Sequence, residues 1–415
     1  MTRVALLSSE PIRAQVAGIG VRYLELARRL PRPGVEIVLL SPADPIEAPE
    51  LSLGAGQVRR AERGRLAELV RDCDAVIAQG QLANDLLLEA PQLPVAIDLY
   101  DPWMIENLHY YGTLGLDPYR NDHASWSLQL GRGDFFLCSS QEQRLFYLGF
   151  LAALGRVNPE LVGRDPELRS LIAEVPFGVP DTLPAGRPYL PARTAGERRL
   201  LFGGLYDWYD PWTLLAALER LEMPGWRLLV IRHPNPGTTP QRLFAEVEAD
   251  CRRRGWWGER VLALDSVPTE RRFDLLREVD VLVAPHRPSL ETDLSLRTRF
   301  LDAVAVGCPV VTSEGGAMAR LLREHDAGWV VPAGDAPALA AALVEALAPK
   351  HRCAEGMAAL GRRFAWERVL EPLVRFCRDP WRDSTKEAFA RSLPTVAPAD
   401  ATAFRVRRFL RRLRG

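Results

Sequence analysis

Lysine is nearly absent from this 415-residue sequence: only Lys350 and Lys386 stand among its 53 basic residues. The preference for arginine reads as coding composition and says little about chemistry. Charge of one sign is lacking too, because 53 acids balance 53 bases. No global field therefore draws the chain to nucleic acid, and no nucleic-acid partner is expected. The cysteines Cys73, Cys138, Cys251, Cys308, Cys353 and Cys377 lack a Cys-x-x-Cys pair and a histidine at ligand spacing. Neither a zinc site nor a disulfide framework follows, no metal is expected, and the thiols read as small buried hydrophobes. Long apolar runs are missing as well. Val4–Leu7 is too short for a leader, and nothing approaches the roughly twenty apolar residues of a membrane span. The expected location is the cytoplasm, at most peripheral on the inner face of the cell membrane.

What is present is a regular alternation of short aliphatic runs with amphipathic stretches, the pattern of α/β architecture with parallel sheets. In the first half the strand candidates are Val4–Ser8, Val35–Leu40, Ala75–Ala78, Val95–Asp98, Phe135–Ser139 and Ile172–Val175. Five prolines and three glycines then fall between Pro176 and Arg198, which reads as a linker. The alternation restarts with Leu200–Gly203, Arg227–Ile231, Val261–Leu264, Val281–Ala284, Val310–Thr312 and Trp329–Val331. The expected organisation is an N-terminal Rossmann-like domain over 1–180, a linker over 181–198 and a C-terminal Rossmann-like domain over 199–363. A helix over 364–380 and a tail over 381–415 complete it. Ligands of doubly wound sheets sit beyond the carboxyl ends of the strands, so both halves can face one cleft.

Three segments carry candidate chemistry. Gly18-Ile19-Gly20 follows the first strand and opens a helix, which lets backbone N–H groups approach an anion. The third glycine of a dinucleotide fingerprint is missing, since Tyr23 occupies its place. Gly203-Gly204 closes the first strand of the second half, ahead of Asp210-Pro211, which reads as a helix cap followed by proline at the first helical position. The richest segment runs from Pro285 to Val311. A polar loop with Glu291 leads into a helix bearing Arg297, Arg299 and Asp302, and Gly307-Cys308-Pro309 turns the chain into the next strand. Carboxylates there can accept from sugar or ribose hydroxyls, and guanidinium groups can neutralise a diphosphate.

That segment resembles the donor site of retaining family-4 GT-B glycosyltransferases. Leu301-Asp302-Ala303-Val304-Ala305-Val306-Gly307-Cys308-Pro309-Val310-Val311 aligns with the second half of their Glu-x7-Glu stretch. Glu291 takes the place of the first acid and Asp302 that of the second. Gly203-Gly204, Gly18-Ile19-Gly20, Pro176-Phe177-Gly178-Val179 and Trp366-Glu367-Arg368-Val369 extend the likeness over about residues 1–380. Asp98-Leu99-Tyr100-Asp101-Pro102 and the stretch from Glu291-Thr292 to Arg297-Thr298-Arg299 point to a subgroup resembling cell-surface polysaccharide enzymes. The resemblance implies two Rossmann-like domains about a central cleft, with a nucleotide-sugar donor (UDP, GDP, ADP or dTDP sugar) in the C-terminal one. It also implies a glycan or lipid-linked acceptor, retention of configuration and no tightly bound cofactor. It further implies a front-face route without a nucleophile, in accord with the lack of any convincing Ser/His/Asp or Cys/His arrangement.

The departures sharpen the expectation. Ten residues lie between Glu291 and Asp302, and the basic pair that usually clamps the diphosphate after the Gly-Gly strand is replaced by Asp207 to Asp210. Arg297 or Arg299 is expected to supply the clamp, with Arg232 a weaker candidate. Glu291, Asp98 and His109 are the expected catalytic residues. Asp101 and Glu106 stand beside them. The end of the chain, Phe404 to Arg414, holds six arginines and five apolar residues, which suits an anionic membrane surface or a solvated tail. Two other functions fit the same sequence: a nucleotide-sugar epimerase of this fold, and a catalytically inactive GT-B partner subunit.

Overall fold

The structure is a computed structural model and describes residues 1–12, 18–42, 57–110, 112, 115–232, 242–348 and 353–392. Two parallel sheets organise it. The first holds β1 (Thr2–Leu7), β2 (Val35–Ser41), β3 (Gln57–Arg60), β4 (Ala75–Ala78), β5 (Val95–Asp98), β6 (Phe135–Cys138) and β7 (Ile172–Glu174), in the order β3-β2-β1-β4-β5-β6-β7. The second holds β8 (Arg198–Phe202), β9 (Trp226–Ile231), β10 (Val261–Leu264), β11 (Val281–Ala284), β12 (Val310–Ser313) and β13 (Gly328–Val331), in the order β10-β9-β8-β11-β12-β13.

The central strands are short aliphatic runs because helices cover both faces of a parallel sheet. Val4–Leu7, Ala75–Ala78 and Phe135–Cys138 are accordingly buried throughout. Strand order reverses at β1/β4 and at β8/β11. Those reversals open crevices beyond the strand ends, and they place the loops after β1, β4, β8 and β11 where a ligand would sit.

One strand escaped the sequence reading. β3 is Gln-Val-Arg-Arg at the sheet edge, paired among the described residues with β2 alone. Its Arg59 lies 2.8 Å from Asp72, a charged edge of the kind that resists pairing with other chains. The 17-residue helix Leu116–Arg132 was also passed over. It is polar along much of its length and buries Trp126 and Leu130.

The C-terminal segment returns to the first domain. Val179 and Phe364 share a backbone hydrogen bond of 2.7 Å, and Trp366 packs 5.0 Å from Phe177. Gly178 is required there, because a Cβ would stand 2.2 Å from the Trp366 ring. Phe376 stacks on Phe135 of β6, and Lys386 reaches Asp134 at 2.6 Å. All six cysteines are buried, and none forms a disulfide among the described residues. Among the described residues no helix is long and apolar enough to cross a membrane. The basic segment 404–414 lies outside the described residues.

Candidate active site

The first-domain wall of the cleft starts from a buried ion pair. Arg22, on the helix Gly18–Arg29, donates to both oxygens of Asp98 at the end of β5, at 2.7 and 3.1 Å, and to the Val175 carbonyl. Its guanidinium also stacks over Tyr100 at 4.6 Å. Tyr100 in turn donates to the Leu296 carbonyl and lies 3.3 Å from the Thr298 hydroxyl of the second domain. Asp98 thus has both oxygens engaged and holds an interdomain contact through Arg22 and Tyr100.

The helix that carries Arg22 begins at the interface. A Cβ on Gly18 would meet Thr298 Oγ1 at 3.8 Å, so the starts of Gly18–Arg29 and of Thr298–Val306 approach one another. Gly20 N–H donates to the Glu10 carboxylate at 2.9 Å. One turn further along, Glu25 lies 3.9 Å from Arg272, which donates to Asp302 at 3.1 Å. Asp302 is buried, and burial pushes its carboxyl up against the pull of Arg272.

The second-domain wall is built on the end of β8. Gly203 lies directly under Arg299: a Cβ there would stand 2.7 Å from Arg299 Cδ. Nη1 of Arg299 is buried and has no hydrogen-bond partner among the described residues. Gly204, at φ +124°, passes beneath Tyr206, whose ring stacks on Trp208 at 4.8 Å. Asp210 caps the next helix by accepting from Thr213 N–H, with Pro211 at its first position, as expected.

The loop after β11 differs from the single helix that the sequence suggested. A short helix, Leu290–Leu294, is capped by Ser289 and ends at Ser295. Arg297 then takes an extended conformation as the N-cap of Thr298–Val306. This break turns Arg297 back onto the fully buried Glu291, which it grips at 2.5 and 2.7 Å while Ser295 donates at 2.8 Å. Arg297 also lies 5.4 Å from the centres of Trp208 and Tyr209. The two arginines flanking Thr298 therefore differ: Arg297 is neutralised by Glu291, and Arg299 keeps a buried donor unspent.

Between the walls sits an acid cluster. Asp101 and Glu106 are hydrogen-bonded and face Glu291 and Arg297. Desolvation and the neighbouring carboxylates hold Glu106 well above the ordinary range. Asp101, also raised by desolvation, is pulled back by the hydrogen bond from Glu106. Glu106 therefore keeps the proton and Asp101 accepts from it. His109 is held against Trp208, ring centres 5.9 Å apart, and burial lowers its pKa. Neutral His286 stacks on Tyr209 at 4.7 Å, with burial and then Arg297 disfavouring its charge.

Glu291, His109, Gly18, Gly203, Gly204, Arg297 and Arg299 are thus brought to the domain boundary, with Asp302 one turn further along its helix. Arg232 stands apart: it is exposed beyond β9, over the Phe244 ring at 4.8 Å and 3.8 Å from Glu248. Sequence reasoning missed Arg22, Arg272 and Glu10. For Arg22 a signal existed, because an arginine on the apolar face of Ile19, Tyr23 and Leu26 requires a buried carboxylate.

Residues 197–349 match the family described as glycosyl transferases group 1. The match spans the second domain, and the described residues have the GT-B architecture of two Rossmann-like domains. A phosphatidyl-myo-inositol mannosyltransferase of Mycolicibacterium smegmatis is 26% identical over 345 residues, 79% of this chain and 80% of that one. The amylovoran biosynthesis glycosyltransferase AmsK of Erwinia amylovora is 36% identical over 78 residues, 19% of each chain. Anabaena HepE, solved in complex with UDP-glucose, superposes with a TM-score of 0.66 at 15% identity, covering 90% of this chain and all of HepE.

Proposed function

We propose that this transferase moves a sugar, with retention, from a nucleotide-sugar donor held by the second domain to a hydroxyl of a glycan or lipid-linked acceptor. The observation that carries the reading is Arg299, whose Cδ lies over Gly203 at the end of β8 and whose buried Nη1 has no hydrogen-bond partner among the described residues. A diphosphate there would meet a guanidinium, two glycines that admit close backbone approach, and the start of the helix Thr298–Val306. Glu291, fixed by Arg297 and Ser295, would receive sugar hydroxyls, and Asp302 the ribose. His109, kept neutral by burial, would contact the transferred sugar. Asp98 is assigned a positioning role, through Arg22 and Tyr100.

In the proposed step the bond from the anomeric carbon to the diphosphate oxygen breaks and a bond to the acceptor oxygen forms on the same face. The acceptor proton passes to the departing diphosphate. Arg299 stabilises the charge that develops on that leaving group, so catalysis is positioning and electrostatics. The names of the mannosyltransferase and AmsK relatives support a role in glycolipid or polysaccharide synthesis. The tail 404–414 would hold the enzyme peripherally on the inner membrane face, a contact that salt should weaken.

A thermal-shift screen of UDP, GDP, ADP and dTDP sugars tests the donor assignment. One nucleotide class is expected to raise Tm, and stabilisation by none of them would sink the reading. Conversion of the donor to its epimer, or release of free sugar at full rate without acceptor, would indicate epimerase chemistry instead.

A further inference from the structure

A cavity of about 530 Å³ opens in the first domain at the carboxyl ends of β1 and β4, where the sheet order reverses. Glu10, Arg63, Gln79, Gln81, Asp101 and Trp103 contribute to its lining. Asp101 belongs both to this cavity and to the acid cluster facing Glu291 and Arg297. A molecule in the cavity therefore has one end at the donor site.

We propose that this cavity binds the acceptor through an uncharged cyclic polyol, a sugar ring or cyclitol without carboxylate or phosphate, and that a ring hydroxyl next to the one to be glycosylated donates to Asp101. The proposal rests on the glycosyl-transfer reading above and adds to it the chemical class of the acceptor.

The size lies within the roughly 300–1,000 Å³ of small-molecule sites. Trp103 offers an aromatic surface to the C–H face of a ring, and its own ring is braced edge-on against Trp126 at 5.8 Å. Charge decides the class. Glu10 and Asp101 each bring a carboxylate, and Glu106 supplies a proton to their neighbourhood only by donating to Asp101. Arg63 is the one cation among the described lining residues, and Asp85 holds it at 3.1 Å. Two helix starts approach the cavity, each worth about half a positive charge. That of Gly18–Arg29 is already met by Glu10 through Gly20 N–H, so only the start of Gly80–Glu89 remains. Half a charge does not offset two carboxylates, and an anionic ring entering here meets like charge.

Saturation-transfer NMR on the full chain, alone and with each of UDP, GDP, ADP and dTDP, reads the cavity directly. The probes are methyl α-glucoside, methyl α-mannoside, myo-inositol, methyl glucuronide and glucose 6-phosphate. At least one neutral probe is expected to bind, about tenfold or more tighter than either charged one. Glu10→Gln, which keeps an oxygen for Gly20 N–H, should narrow that ratio to roughly threefold, and Trp103→Ala should abolish neutral binding. Charged probes binding as well as neutral ones, or no probe binding in any state, would overturn the assignment. Nucleotide binding in the same samples separates the two failures. If nucleotide binds while the probes fail, only the acceptor assignment falls; if probes bind while no nucleotide does, the donor reading falls.

Discussion

Arg297 holds both carboxylate oxygens of Glu291, at 2.5 and 2.7 Å, across the break between the helices Leu290–Leu294 and Thr298–Val306. Two opposite charges therefore neutralise each other inside the second domain, while Arg299, two residues along, keeps a buried Nη1 that has no partner among the described residues.

Glu291 is fully buried, so removing its partner strands a charge. Arg297→Ala should cost about 3–5 kcal/mol of stability, the usual penalty for breaking a buried pair from one side. Arg297→Ala combined with Glu291→Gln should recover a large part of that loss. Urea denaturation of the two variants beside the unmodified chain checks both statements, and equal losses in the two variants would mean that the pair is not coupled.

Gly203 bears on function more than on folding. A Cβ would stand 2.7 Å from Arg299 Cδ, in the middle of a side chain that can move. Gly203→Ala should therefore displace Arg299 and weaken nucleotide-sugar binding roughly tenfold while leaving the chain folded. Calorimetric affinity together with a melting curve resolves the two effects.

Glu106 imposes a pH dependence with a definite sign. Its folded pKa is raised, by desolvation first and by Asp101 and Glu291 after it. The native state then binds more protons than the unfolded one between the unfolded value, about 4.3, and the raised folded value. The contribution of Glu106 to stability is full below that window and is lost as pH rises through it. Glu106→Gln removes the loss, so its urea midpoint should gain on that of the unmodified chain between pH 5 and pH 8. A difference that stays constant or falls over that interval would contradict the protonated assignment.

Much of the fold was legible because a strand covered on both faces must be aliphatic throughout. Val4–Leu7, Val281–Ala284 and their neighbours announce themselves in that way, and the glycines after β1 and β8 mark the turns that leave the strand ends. β3 was not legible, since Gln57–Arg60 is a charged edge strand that pairs, among the described residues, with β2 alone. The site was legible in its parts and not in its pairings. Arg22 and Asp98 are 76 positions apart, and only the packing of the helix Gly18–Arg29 against β5 joins them. Arg297 and Arg299 were equivalent in sequence. What separates them is the extended Arg297 between two helices, which no local residue pattern specifies.

Isothermal titration calorimetry with the nucleotide sugar selected by the thermal-shift screen, on the unmodified chain and on Arg299→Ala, tests the donor placement most directly. Nη1 of Arg299 has no partner among the described residues, so the substitution should leave Tm nearly unchanged. A charge-assisted contact worth roughly 1.5–3 kcal/mol would be lost, weakening binding by about tenfold to a hundredfold. Equal affinities for the two proteins would contradict a diphosphate held between Gly203 and Arg299.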